Sequence, residues 1–210
     1  MTESKVTAFP GSAPADDAAD GRRQRSERSR TQIIDALFAL IREGDMSPSA
    51  ARVAERAAVG QRTVFRHFED MDSLFGEMSE QIQSEIMPIV LAPYTSTDWH
   101  ERLVELVRRR AAVYERIFPI RVSANLRRFN SRFLMSEYRR NLILERESLK
   151  AVLPKDRASD KRLISALDVV TGFQAWRRLR QDQGLSAEEA HGIMLFMVEQ
   201  IVADAPAPPR

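Results

Sequence analysis

Gln61-Arg62-Thr63-Val64-Phe65-Arg66-His67-Phe68 is the stretch on which the fold turns. Val64 and Phe68 stand four residues apart and mark the buried side of a short helix. Gln61, Arg62, Thr63 and Arg66 fall on the other side. Just upstream, Ala57-Ala58-Val59-Gly60 closes another short helical pattern, with Val53, Ala54 and Ala57 as its inner face. Two short helices joined by a tight turn that holds a glycine are the sequence form of a helix-turn-helix. The amide, hydroxyl and guanidinium groups of the second helix are the types that read base edges and hold phosphates. An ordinary αα corner is the alternative, with Arg66 and His67 on its surface and Phe65 and Phe68 in its core. The Arg-rich segment ahead of the unit, and the absence of any acid in 61–66, favour the nucleic-acid reading.

The rest of the chain bounds what that unit serves. It has 210 residues, 43% of them apolar, enough for one or two domains with a sizeable core. The net charge is +2, so no global cationic field draws it to a polyanion. The distribution says more. Residues 1–20 carry Glu3, Asp16, Asp17 and Asp20 against Lys5, whereas residues 22–30 carry Arg22, Arg23, Arg25, Arg28 and Arg30 against Glu27. Such a cluster is either a solvated lead-in or an arm laid along the minor groove or the phosphates. The absence of cysteine excludes disulfides and thiolate metal sites and fits a reducing cytosol. The three histidines stand far apart and form no metal-ligand pattern. The N-terminus has no apolar core of a signal peptide. The longest clear apolar run, Ile193 to Val198, is far short of the ~18 residues of a membrane span. A cytoplasmic protein with no membrane partner is expected.

Residues 1–21 hold few large apolar side chains and are expected to be disordered, as is the tail 204–210. Between them the pattern is helical. Ile33, Ile34, Leu37, Phe38, Leu40 and Ile41 recur at helical spacing, and Gly44 suits the stop. Ser47-Pro48 reads as a hydroxyl cap followed by a proline at the first helical position. Asp70 can cap a helix carrying Leu74, Phe75, Met78 and Ile82, and Pro88 and Pro93 mark a boundary. Thr97-Asp98 opens a further helix that Pro119 interrupts. Another covers roughly 129–152 and ends before Pro154. One more runs from about Ser159 to Gln181. The last starts at the capping box Ser186-Ala187-Glu188-Glu189. No strand alternation and no repeat are seen. The fold expected is all-α, with a helix-turn-helix DNA-binding domain over 22–87 and a helical bundle for effector binding and dimerisation over 88–203.

Residues 26–82 resemble the N-terminal domain of the TetR family of bacterial transcriptional regulators. The family pattern is a helix, a Thr/Ser-capped short helix, a turn, then a stretch like T-[LV]-[YF]-x-[HY]-F. That stretch is Thr63-Val64-Phe65-Arg66-His67-Phe68 here, and Val53-Ala54-Glu55-Arg56-Ala57 also fits. Leu163 to Gly184, followed by Leu185 to Ala190, looks like the family's last two helices. The resemblance implies that Ser47 caps the second helix and touches phosphate. It places Gln61, Arg62 and Thr63 in the major groove, and Phe65 and His67 where the family has backbone-contacting side chains. With Arg66 and with Arg25, Arg28 and Arg30 of the arm, these make up the expected DNA-binding set. Three departures each remove a contact: Gly60 replaces the usual Ser, Phe65 the common Tyr, and Met71 a frequent Lys. Arg62, at a position often Gly, can compensate by reading guanine through O6 and N7.

In the helix opened by Asp98, Leu103, Val107, Tyr114, Ile117 and Phe118 share one side at about 100° per residue, and Arg110 falls inside that stripe. In the helix over 129–152, Leu134, Tyr138, Leu142, Leu149 and Val152 share a face that also holds Asn141 and Glu145. A charge inside an apolar stripe must be paired or solvated. Arg110 and Glu145 therefore either form a structural pair, or Arg110 reaches out to water, or the two orient a ligand in a cavity with Trp99, Leu103, Tyr114, Phe118, Tyr138, Phe173 and Trp176. The last helix is apolar nearly all round and needs a surface beyond its own domain. Ile193, Met194, Met197 and Ile201, with Leu163, Leu167 and Val170 of the preceding helix, are expected to form a four-helix interface with a second copy.

The resemblance thus implies an Ω-shaped homodimer that represses from a palindromic operator in double-stranded DNA and is released by a small-molecule effector. Two other classes stay open: an architectural DNA binder without effector, and an enzyme using the C-terminal cavity. No nucleophile elbow, phosphate-binding glycine loop or metal-ligand spacing supports an enzyme, and neither catalysis nor a cofactor is expected.

Overall fold

The computed structural model describes residues 15–204, the side chains of 15–19 and Arg22 apart. Among these residues every regular element is helical. Helix α1 (Ala15–Arg42) buries Ile33, Ile34, Leu37 and Ile41 along one stripe. Helices α2 (Ala50–Arg56) and α3 (Gln61–His67) add Val53, Ala54 and Val64. Helix α4 (Met71–Val90) closes the unit with Leu74, Phe75 and Met78. Its start is a reciprocal cap: the Asp70 carboxylate accepts from Ser73 N at 2.8 Å, and Ser73 Oγ accepts from Asp70 N at 3.1 Å.

Several local expectations change in this half. Residues 15–21 of the segment expected to be loose are helical, while residues 1–14 and 205–210 lie outside the described residues. The cap of α2 is Ser49, not Ser47: Ser49 Oγ accepts from Arg52 N at 3.3 Å. Pro48 is buried and takes the place just before the cap, where an apolar residue commonly packs on the fourth helical residue, here the buried Val53. In the turn between α2 and α3 the left-handed residue is Ala58, at φ 53. Gly60 is extended, at φ −71, and caps α3 without a side chain.

In the second half, helix α5 (Trp99–Arg127) runs straight through Pro119, and α4 likewise contains Pro88. A proline removes one helical hydrogen bond and crowds one carbonyl. In α5 burial on both sides of it outweighs that cost, with Val113, Tyr114 and Ile117 before Pro119 and Ile120 and Val122 after. A 3₁₀ turn, Arg128–Asn130, leads to α6 (Arg132–Val152), whose cap Ser131 accepts from Leu134 N at 3.0 Å. A short α7 (Lys155–Ser159) follows Pro154. The single helix expected over 159–181 is broken into α8 (Lys161–Thr171) and α9 (Phe173–Arg177), then a π turn, Arg178–Asp182. The break falls at Gly172, where a Cβ would lie 2.9 Å from the Asp168 carbonyl oxygen. Helix α10 (Ala187–Asp204) starts at the expected capping box, with Ser186 N donating to Glu189 Oε2 at 2.8 Å.

Two hydrophobic cores share the central helices. The N-terminal one, around Ile33, Leu37 and Phe75, takes Ile120 from α5 and Leu134 from α6. The C-terminal one gathers Leu103, Val107, Leu149, Leu167, Trp176 and Met194. Ile82 of α4 packs against both. Polar contacts fasten the same corner: Ser123 Oγ donates to the Met46 carbonyl at 2.8 Å, and Ser131 Oγ to Asp72 Oδ2 at 2.7 Å. The helix-turn-helix is thereby held on the α5–α6 turn and does not hang from a bare linker.

Candidate nucleic-acid interface and ligand cavity

Helix α3 turns Val64 inward and leaves Arg62 and Arg66 exposed and Thr63 half-buried, while Gln61 is exposed at the start of the helix. Among the described residues these four side chains make no hydrogen bond or ion pair. Their donors and acceptors are all available to a partner. Phe65 adds an apolar ring, 46% exposed, to that surface. Ser47, ahead of α2, is exposed, and its hydroxyl accepts from Arg127 at 3.3 Å.

Other members of the expected set sit differently. Arg30 donates to the His67 carbonyl at 3.1 Å, pairs with Glu77, and lies 4.8 Å over the Phe68 ring. It braces α1 against α3 and α4 and is not a free surface cation. The reason is its register: Arg30 lies on the α1 face that buries Ile33, Ile34 and Leu37. Arg25 and Arg28 are exposed, but on a continuous helix and not on an extended arm. Arg25 Nε donates to the Gly21 carbonyl at 3.0 Å, one turn back. His67 is half-buried, and its Nε2 is enclosed without a partner. Burial, then the positive charges of Arg66 and Arg30, hold its pKa below the ordinary 6.5.

Between α4, α5 and α6 lies a cavity of about 270 Å³. Of the residues expected to meet a ligand, Arg110, Tyr114, Tyr138, Asn141 and Glu145 line it. The others do not. Leu103, Phe173 and Trp176 are buried in the C-terminal core, and Phe118 packs on Phe173 with ring centroids 5.8 Å apart. Trp99 is covered by Arg157, 4.8 Å over its ring. Trp176 instead lines a more open hollow between α5, α9 and α10, with Glu115 and His191. The wall that sequence reasoning missed is α4, through Ile82, Ile86 and Val90. The signal was there, since these positions continue the Leu74–Met78 stripe at four-residue spacing.

The charges in the cavity wall are not paired as expected. The Glu145 carboxylate meets Arg121 at 3.2 Å. Arg110, only 6% exposed, donates instead to neutral oxygens: Thr171 Oγ1, the Thr171 carbonyl at 3.4 Å, Ser148 Oγ at 3.1 Å and the main-chain carbonyl of Glu145. Arg121, roughly three turns further along α5, takes the carboxylate while Arg110 meets the α6 backbone. Tyr114 Oη donates to the Thr171 carbonyl at 3.3 Å, and burial raises its pKa far above the ordinary 10.0, so it stays a donor.

The expected interface residues divide in the same way. Leu163, Leu167 and Met194 are at most 4% exposed inside one chain and cannot face a second. They belong to the C-terminal core, where α8 packs on α10 and α6 and α10 packs on α5. Val170, Met197 and Ile201 are half-buried. The outer faces of α8 and α10 expose Val169 at 71%, Ile193 at 41% and Phe196 at 60%.

Residues 33–78 match the family of bacterial regulatory proteins described as the tetR family. A crystal structure of a transcriptional regulator from Rhodococcus sp. Rha1 shares the fold, with a TM-score of 0.66 over 88% of this chain and 99% of that one, at 18% identity. No curated protein matches the sequence. Among the described residues, no helix is long and apolar enough to cross a membrane.

Proposed function

We propose, from the premise that residues 33–78 form a DNA-binding domain of the tetR family, that the whole chain is a dimeric transcriptional repressor released from its operator by a small molecule. The observation that carries this reading is the double membership of α4. It closes the helix-turn-helix core and also walls the cavity. A molecule that prefers one placement of α4 shifts the α3 surface by its differential affinity for the two arrangements, and by no more.

On the DNA side, Gln61, Arg62, Thr63 and Arg66 enter the major groove, with Arg62 on a guanine. Phe65, Ser47, Arg25 and Arg28 flank the phosphates. On the assembly side, Val169, Ile193 and Phe196 cover their counterparts in a second copy, with Val170, Met197 and Ile201 at the margin. Two α3 helices then fit one DNA face when centred about one helical turn apart, roughly 34–36 Å.

Selection of bound duplexes from a random pool tests the proposal. The expected product is an inverted repeat whose half-sites lie about one turn, or a multiple of it, apart. Arg62→Ala should lose about 1–3 kcal/mol on the selected site and almost nothing on random DNA. Recovery of single, unpaired half-sites would overturn the dimeric operator, and an equal loss on both DNAs would overturn the guanine contact. An operator complex that no compound of a metabolite screen dissociates would leave a DNA binder without effector.

A further inference from the structure

We propose that the cavity between α4, α5 and α6 takes a small amphipathic monoanion, a carboxylate on an apolar body, with its charge beside Arg110. The inference rests on the reading of that cavity as an effector site. It comes from matching the charges in the wall one by one. Four arginines line the cavity: Arg109, Arg110, Arg121 and Arg140. Three have a carboxylate partner: Arg109 with Glu105 at 2.5 Å, Arg121 with Glu145 at 3.2 Å and Arg140 with Glu137 at 2.7 Å. Arg110, the most deeply buried, has no carboxylate oxygen within 4.0 Å among the described residues.

Its partners on Thr171, Ser148 and Glu145 accept from Nη1 and Nη2 but are neutral oxygens and supply no opposite charge in contact with it. A buried cation in that state is relieved by an anion brought alongside it. One surplus charge matches a monoanion better than a phosphate dianion. Tyr138 and Asn141 line the same cavity and make no side-chain hydrogen bond among the described residues, so a carboxylate finds donors there as well. The α4 contribution is mainly apolar, with Ile82, Ile86, Met87 and Val90 against Ser79 and Gln83, which sets the character of the rest of the molecule. The volume, about 270 Å³, sits at the small end for organic ligands.

The test uses the full chain and matched compounds that differ only in the head group. One set is octanoate, octanol and octylamine; the other is phenylbutyrate, phenylbutanol and phenylbutylamine. Calorimetric titration should show the acid of at least one set binding about tenfold tighter than its alcohol, with the amine weakest. Arg110→Gln, which can still donate to Thr171 and Ser148, should bring acid and alcohol level. Arg110→Lys should keep the preference, and it serves if the Gln variant does not fold. An amine preferred over the acid, or an acid preference that survives in Arg110→Gln, overturns the proposal. Acid and alcohol bound equally by the unmodified chain would overturn the charge assignment and leave the cavity as a neutral effector site. If none of the six binds, the proposal falls, and release of operator DNA by other compounds then decides the effector reading separately.

Discussion

Ala58 holds the conformation that makes the turn between α2 and α3, and it does so against its own side chain. Its φ of 53 lies in the left-handed region, where a Cβ costs roughly 1–2 kcal/mol. Ala58→Gly should therefore raise the unfolding free energy by about 1 kcal/mol in urea denaturation without changing the length of the turn. Unchanged or lowered stability would mean that the turn does not store this strain. The sequence pointed to a glycine two residues later because glycine is the usual residue of such a turn, and no residue type reports its own φ. His67 makes a second prediction. Its folded pKa lies below the unfolded value, by burial first and then by Arg66 and Arg30. Below the unfolded value of about 6.5, the unfolded chain takes up a proton that the folded one refuses. Stability is thus complete above that pH and falls as pH drops through it. His67→Gln should flatten the decline of melting temperature between about pH 7.5 and 5, leaving the part due to His191, which is shifted the same way. An unaltered slope would show that the imidazole is solvated.

At the scale of elements, starts were legible and interruptions were not. Asp70, Asp98 and the Ser186–Glu189 box cap helices where the sequence places them, because a cap is a contact between neighbours in the chain. Pro119 failed as a boundary because its cost of about 3 kcal/mol is set against burial that only tertiary structure supplies. Gly172 was visible as a residue but not as a break, since a lone glycine is tolerated inside a helix and its type does not report the extended backbone, ψ 163, that it adopts here. Arg30 shows the same limit from the other side. A cluster of arginines looks uniform in sequence, yet the helical register turns this one inward. Arg30→Met should cost about 1–3 kcal/mol of stability and weaken specific and random DNA binding together. A shallower salt dependence with unchanged stability would instead make it a phosphate contact.

For the whole molecule, the apolar excess of the last helix was legible, and its division between the chain's own core and the surface was not. Periodicity marks apolar faces, but α10 is apolar nearly all round, so only packing tells Met194 from Phe196. The variant pair Val169→Glu and Phe196→Glu should abolish the proposed dimer in sedimentation while each chain unfolds as cooperatively as before. Met194→Glu should instead cost several kcal/mol and compromise the chain itself. A Val169, Phe196 double variant that remains dimeric would exclude the α8–α10 face. The cavity followed the same rule. Arg110 and Glu145 were placed correctly as charges in apolar stripes, but their partners lie on α6, α8 and further along α5, at separations that no local pattern reports.

The corner where Ile120 and Leu134 enter the N-terminal core has a consequence for how such a protein can be recombined. A gene fragment ending after α4 would encode a reading head with a hole in it, its underside stripped of two apolar plugs and of the hydroxyls of Ser123 and Ser131. Transplanting the DNA-binding unit of this chain onto a foreign bundle would require carrying residues 120–134 along as a graft, or finding a host whose own corner happens to fit. The seam along which evolution can cut this molecule does not follow the order of its helices.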